Sequence, residues 1–475
     1  MQFIKIKFIG LAVIISLSAL SQDSLRMLTI EQQKEDFAFL QQMLKEAHPG
    51  MYRYTNAQQW DSLEKDISVR LDHTMREDEF GKIIFPYAVS LQCTHTKFFP
   101  REKVDDPFYY NADRLLPIDV YASSQKLFVK KLLTGNNEIP EGAEIVSINS
   151  YNADSIRSEL EKFILSDANI RSTKRLDLSQ YFAAYYANWI EAPSSFEVKY
   201  KKGEKEFIAH LDAIDEKKWK SFHPATQPAQ TLSLAWPDSS TAVIKIRNFD
   251  FPNKHAEITS FLEKSFADIN SKAAKHLIID LRDNEGGTDK YGALLLSYLM
   301  DRDFRYYDHI STNTNKKFSF ADKVWVPPHF GIYRMLIGKD KKYGYVWKKH
   351  VNLTLQHPSA NHFHGKVYIL MNGRSLSVTS EFISMANFYK RATFIGEESG
   401  GAYYGNNSGF FIVGHLPNSK YTVGIPLWAY YMAVYKPEWK NHGTLPDHEV
   451  IPSVDDVIGG KDAVLEYTLN LISES

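Results

Sequence analysis

The stretch His276–Gly287 constrains the fold most. An apolar run, His276-Leu277-Ile278-Ile279, drives directly into Asp280-Leu281-Arg282 and ends at paired glycines, Gly286-Gly287. This pattern reads as a buried strand that ends in a turn whose backbone approaches something closely. A second unit of the same kind occupies Lys366 to Gly401. Its strand, Val367-Tyr368-Ile369-Leu370-Met371, turns at Asn372-Gly373, meets Ser377 and becomes a helix. Strands and helices alternate through residues 230–475, which predicts an α/β region. The expected strands are 242–247, 276–281, 366–371 and 392–396. The expected helices are 255–272, 288–301, 378–390 and 460–473.

The chain has 475 residues, 44% of them apolar. That length corresponds to roughly three domains. A formal net charge of -1 argues against a nucleic-acid partner, which needs a basic face. Lys and Arg are spread along the chain without an evident polybasic membrane patch. The N-terminus reads as an export signal over 1–21. Lys5 and Lys7 precede an apolar run from Phe8 to Leu20, and Ala19-Leu20-Ser21 supplies small residues for cleavage. The run is short for a transmembrane helix, and no later segment spans a bilayer, so the mature chain is not membrane-spanning. The one cysteine, Cys93, leaves no intramolecular disulfide and reads as a small buried apolar residue.

Residues 29–92 read as three helices. Phe37, Leu40, Met43 and Leu44 recur at helical spacing, as do Trp60, Leu63, Ile67 and Leu71, and a third helix runs from about Glu77 to Leu91. Residues 115–213 change character. Short strands at 117–120 and 127–129 precede Gly142-Ala143-Glu144-Ile145-Val146-Ser147-Ile148-Asn149. Two helical stretches and a strand at 196–200 follow. The long aromatic and basic stretch 303–363 is expected to be either a lid or groove wall, or a surface excursion that packs on itself.

Chemistry concentrates at the two turns. Val378, Phe382, Met385 and Tyr389 form one apolar stripe, so Ser377 sits at a helix cap. Such a serine is commonly an ordinary N-cap. The same place suits a nucleophile, because the Val378 N–H at the helix's positive end can hold an oxyanion. Ser375 and Ser380 compete for that role. Gly286 or Gly287 can supply a second oxyanion donor, while Asp280 and Arg282 are expected to pair internally. His95, in Gln92-Cys93-Thr94-His95-Thr96-Lys97, is a candidate base. His357, His362 and His364 lack a carboxylate at ligand spacing in the sequence, and no metal is assigned to them.

Five motifs occur in order: Cys93-Thr94-His95-Thr96, Asp280 to Gly287, Asn372-Gly373-Arg374-Ser375-Leu376-Ser377, Gly396-Glu397-Glu398-Ser399-Gly400-Gly401, and Gly443-Thr444-Leu445-Pro446-Asp447. In this set the chain resembles the C-terminal-processing (tail-specific) serine peptidases, on the branch whose core is similar to that of tricorn protease. The resemblance implies a multidomain α/β architecture. After the signal come an N-terminal helical region (22–100), a PDZ-like α+β module (101–215) and a crotonase/ClpP-like α/β peptidase core (230–475). It implies Ser377 as nucleophile. A serine–lysine dyad is disfavoured, since Gly400-Gly401-Ala402-Tyr403-Tyr404 holds no lysine, and His95 is favoured as base. Thr94 stands before the histidine as a hydroxyl able to relay a hydrogen bond. Glu438 is the nearest carboxylate to the family's acid position. The implied substrate is a polypeptide docked through the PDZ-like module, with no metal or organic cofactor, in a periplasmic or extracellular setting. A ligand-binding protein on the same scaffold and an esterase are the alternatives.

Overall fold

The computed structural model describes residues 25–100, 107–135, 138–224, 230–251, 255–434 and 439–474. The expected signal segment 1–21 and Glu438 lie outside these residues.

A six-stranded sheet forms the centre of the C-terminal region. Its order is Leu232–Ala235, Thr241–Ile246, His276–Asp280, Lys366–Met371, Thr393–Gly396 and His448–Glu449. The first pair is antiparallel and the remaining pairs are parallel. The continuous apolar runs follow from burial on both faces. Alternate residues separate: Ile278, Tyr368, Leu370 and Ile395 pack with Val464 of the C-terminal helix Ala463–Ser473. Leu277, Ile279, Ile369 and Met371 face the main core with Leu262 and Phe266 of helix His255–Ser271. The register pairs Asp280 with Leu370. Two adjacent parallel strands therefore end side by side, and both chemistry-bearing turns emerge at that end. The helix expected over 288–301 is shorter, Lys290–Ser297.

A second sheet has the order Val324–Trp325, Asn407–His415, Thr422–Met432, Tyr307–Thr312, Gly344–Trp347, Ile337–Asp340. The stretch 303–363 thus does not pack only on itself. Its strands extend the sheet from the long hairpin, where Tyr307–Thr312 pairs with Thr422–Met432. Strand Lys97–Phe99 also joins Thr422–Met432, with Phe98 opposite Val423. This pairing carries His95 across to the C-terminal region. A third sheet, all antiparallel, runs Ile118–Ala122, Leu127–Leu132, Glu144–Ile148, Ser195–Lys202, Lys205–Asp212. Helices Ala153–Leu160 and Arg171–Trp189 lie between its third and fourth strands.

The N-terminal helices Ile30–Ala47, Ala57–Arg70 and Glu77–Val89 form as expected. Reciprocal capping boxes open the first two, Thr29 with Gln32 and Asn56 with Gln59. His48 ends the first helix and is fully buried. Its Nδ1 accepts from the Gly50 N–H at 3.1 Å, and its Nε2 lies 3.0 Å from Thr96 Oγ1. An accepting Nδ1 makes Nε2 the donor, so this neutral tautomer pins the turn that carries His95.

Burial, with Arg53 nearby, depresses the His48 pKa to about 3. The unfolded chain takes up this proton near pH 6.5, so stability is lost as pH falls through that value and on toward 3. Acidification from pH 7 to 5 is expected to cost about 2 kcal/mol through this residue. Urea unfolding at both pH values checks this, and His48→Gln is expected to flatten the slope.

Candidate active site

Ser377 precedes helix Val378–Phe388 with φ 52° and ψ -126°. A non-glycine residue in that region is strained, and such strain collects at functional positions. The ordinary N-cap reading fails, because the Ser377 side chain makes no cap hydrogen bond. Its Oγ instead lies 3.2 Å from His95 Nε2. The competing serines are engaged elsewhere. Ser375 Oγ donates to the Leu281 carbonyl at 2.9 Å, and Ser380 Oγ donates to the Ser377 carbonyl at 2.8 Å.

The glycine turn lies against this serine. A Cβ on Gly286 would fall 2.7 Å from Ser377 Cβ and 3.0 Å from Val378 N, and one on Gly287 would fall 2.1 Å from the Phe249 carbonyl carbon. Both glycines have positive φ, 99° and 146°. Close approach and backbone conformation each require glycine here. The Gly286 N–H is spent on Asn284 Oδ1 at 3.0 Å. The N–H groups of Gly287 and Val378 have no hydrogen-bond partner among the described residues.

Further bonds fix one turn against the other. Leu376 N–H donates to the Asn284 carbonyl, and Asn372 and Asp283 exchange two hydrogen bonds. Arg374 reaches both Glu285 and Asp177. Asp280 and Arg282 pair internally at 2.8 Å, and Arg282 also holds Asp462. Helix Arg171–Trp189 docks on the same region. Thr173 Oγ1 donates to the Gly373 carbonyl, and buried Arg175 forks onto Glu397. Glu381, one turn beyond Ser377, accepts from Tyr307 and Asn406 and ties the serine's helix to the second sheet. Burial pushes its carboxyl up to about 7.

The chain reversal before helix Arg171–Trp189 supplies a residue that sequence reasoning missed. Ala168 N–H donates to the Gln92 carbonyl, so residues 167–170 lie along the His95 turn. Asp167 is buried, and its Oδ1 accepts from the Thr94 N–H at 2.7 Å and Thr94 Oγ1 at 2.9 Å. Thr94 thus bonds the carboxylate rather than the imidazole. His95 Nδ1 and Asp167 Oδ2 are both buried and have no hydrogen-bond partner among the described residues. Ligand-type atoms of Cys93, His95 and Asp167 all lie within 4.8 Å of one another. Burial pushes the Cys93 thiol up to about 11, which favours its protonated form and argues against a thiolate metal ligand. The trio reads as an imidazole with an adjacent acid. Elsewhere His357 pairs with Asp303 at 2.7 Å.

Burial lowers the His95 pKa, Asp167 opposes that shift, and Lys97 adds to it. The imidazole is therefore neutral at physiological pH. A neutral base with a lowered pKa keeps working into mild acid. The acid limb of kcat/KM is expected to have its midpoint below 6.5, the ordinary imidazole value. A pH–rate profile checks this.

A strained serine on a strand-to-helix turn, bonded to a neutral histidine, is an arrangement suited to serine-type hydrolysis. Residues 240–450 match the model of Peptidase family S41, and this region marks the chain as a serine-type peptidase. No curated protein matches. Among solved structures, mature CPAF is 13% identical with a TM-score of 0.59, over 93% of this chain and 96% of its own. A CPAF mutant gives 0.61 at 13% identity, with the same coverage. The photosystem II D1 C-terminal processing protease gives 0.40 at 13% identity, over 91% of this chain and 98% of its own. At these identities the likeness to CPAF is one of fold.

Proposed function

We propose that the chain is an exported peptidase that cleaves peptide bonds through an acyl-enzyme, with Ser377 as nucleophile and His95 as general base. The observation that carries this reading is the 3.2 Å contact between His95 Nε2 and Ser377 Oγ, made by a serine whose hydroxyl has no other bond among the described residues. Ser377 Oγ attacks the scissile carbonyl as its proton passes to Nε2. The carbonyl π pair moves to oxygen, where the N–H groups of Val378 and Gly287 receive it. Each such donor is worth about 3 kcal/mol of barrier. Collapse breaks the C–N bond, and His95 returns the proton to the leaving amine. Water then repeats the sequence on the ester.

For Nε2 to act as base, Nδ1 must carry the proton. A buried Asp167 carboxylate near the imidazole, its Oδ2 without a partner among the described residues, supports Asp167 as the group that fixes this tautomer and balances the imidazolium. The resemblance offers Glu438 for the same duty; the contacts of Asp167 with the turn that carries His95 support Asp167. The antiparallel sheet spanning 118–212 supports the PDZ-like module of 101–215, set between a helical region (22–100) and the catalytic core (230–475). Such a module would hold an extended polypeptide at a strand edge. Segment 1–21 supports export.

The test is labelling of the protein with a fluorophosphonate, followed by peptide mapping. Label on Ser377 that disappears in His95→Ala is the expected outcome. A folded wild-type protein that takes no label would favour a ligand-binding role on this scaffold.

A further inference from the structure

Helix Phe330–Met335 is apolar on both sides. Its inner side packs on the second sheet, where Phe330 and Tyr333 meet Phe410 with ring centroids 5.8 and 4.6 Å apart. Its outer side is formed by Ile332, Met335 and Leu336, at i, i+3 and i+4, and these are 61%, 84% and 47% exposed. Trp325, on a strand of the same insertion, is also exposed. A helix that is apolar all round is normally covered. Six of the chain's large exposed apolar side chains among the described residues fall between 325 and 355. A concentration of this kind marks an interaction surface.

Charge identifies what covers it. Residues 316–349 hold nine Lys and Arg against two Asp, in a chain of net charge -1. The even spread of basic residues along the whole sequence conceals this local excess. Lys339, Lys341, Lys348 and Lys349 are exposed, and none has an ion-pair partner among the described residues. Two of them stand close to the apolar face in the fold: Lys339 lies on strand Ile337–Asp340, three residues past Leu336, and the Lys348 stem lies 3.7 Å from where a Gly338 Cβ would be.

We propose that this face docks on an anionic membrane surface. Ile332, Met335 and Leu336 would enter the boundary between headgroups and acyl chains, while the lysines around them pair with lipid phosphates. A second copy of the chain is a poorer occupant, because a two-fold contact would set the same cations against each other. A peptide is poorer too, since Met335 stands out into solvent and lines no pocket among the described residues, whereas peptides and small ligands seat in grooves or pockets. Strand Asn407–His415 runs from Asn407, whose carbonyl meets Cys93, to Phe410 under this helix. Docking would therefore hold the His95 end of the site within a few residues' length of the membrane.

The experiment is co-sedimentation of the full chain with vesicles of phosphatidylglycerol mixed with phosphatidylcholine, against phosphatidylcholine alone, at low and high salt. Binding to the anionic vesicles at least about tenfold stronger, and weakened by salt, is expected. Ile332→Ser/Met335→Ser and Lys339→Glu/Lys348→Glu are each expected to reduce it about tenfold. Both variants should hydrolyse a soluble peptide as the wild type does. Equal binding to both vesicle types, or binding unchanged in both variants, would overturn the proposal. So would loss of a solution dimer in the first variant, or a raised KM for acidic peptides with no vesicle binding. The readout is sedimentation, so it stands apart from whether Ser377 is the nucleophile.

Discussion

Ser377→Ala is expected to lower kcat by about five to six orders of magnitude, with fluorophosphonate labelling lost and the melting temperature nearly unchanged. The size of the loss follows from what the hydroxyl does. It is the atom that forms the acyl bond, and no neighbour replaces it: Ser375 and Ser380 Oγ are bonded to the carbonyls of Leu281 and Ser377. The small effect on stability follows from the same bonds. Ser377 makes no cap hydrogen bond, so alanine removes from the folded state only the 3.2 Å contact with His95. Alanine also keeps the Cβ and tolerates φ 52° no worse than serine does. Changes at Ser375 should behave oppositely, weakening the fold where the two turns meet before they alter chemistry. Peptidase turnover retained in purified Ser377→Ala would move the nucleophile elsewhere and undo the assignment.

The contrast among these serines shows what a sequence can carry. Ser377 and Gly286-Gly287 are legible because each stands at the end of a strand written as an apolar run. Two parallel strands in register then bring the ends together. The internal pairing of Asp280 with Arg282 is legible for the same local reason. Asp167 is not. Its place beside His95 depends on a chain reversal that pairs Ala168 with Gln92 across a long sequence separation, and on helix Arg171–Trp189 docking at Gly373 and Glu397. Locally, Ser166-Asp167-Ala168-Asn169 reads only as a polar lead into a helix, and the family resemblance points to Glu438 instead. The stretch 303–363 misleads differently. Its length and composition suggest something separate from the core, yet its first strand pairs with residues more than a hundred positions away. Sheet partners at that distance leave no periodic trace.

Asp167→Asn tests the part of the site that only the fold discloses. The substitution is nearly isosteric. Asparagine keeps an oxygen for the Thr94 N–H and Oγ1, so the turn holding His95 should stay in place. It changes the other side of the carboxylate. An amide N–H turned toward Nδ1 stabilises the tautomer that carries its proton on Nε2, which cannot accept the Ser377 proton. It also removes the charge that balances the imidazolium. The expected loss in kcat is about three to four orders of magnitude, with KM little altered. A second readout separates this from a packing defect. Asp167 raises the His95 pKa against the effect of burial, so removing its charge should move the acid limb of kcat/KM to still lower pH. A merely structural role would reduce the rate and leave the limb where it was. Glu438→Gln measured alongside decides between the two acids: the variant with the larger loss in kcat and the shifted limb identifies the carboxylate that serves His95.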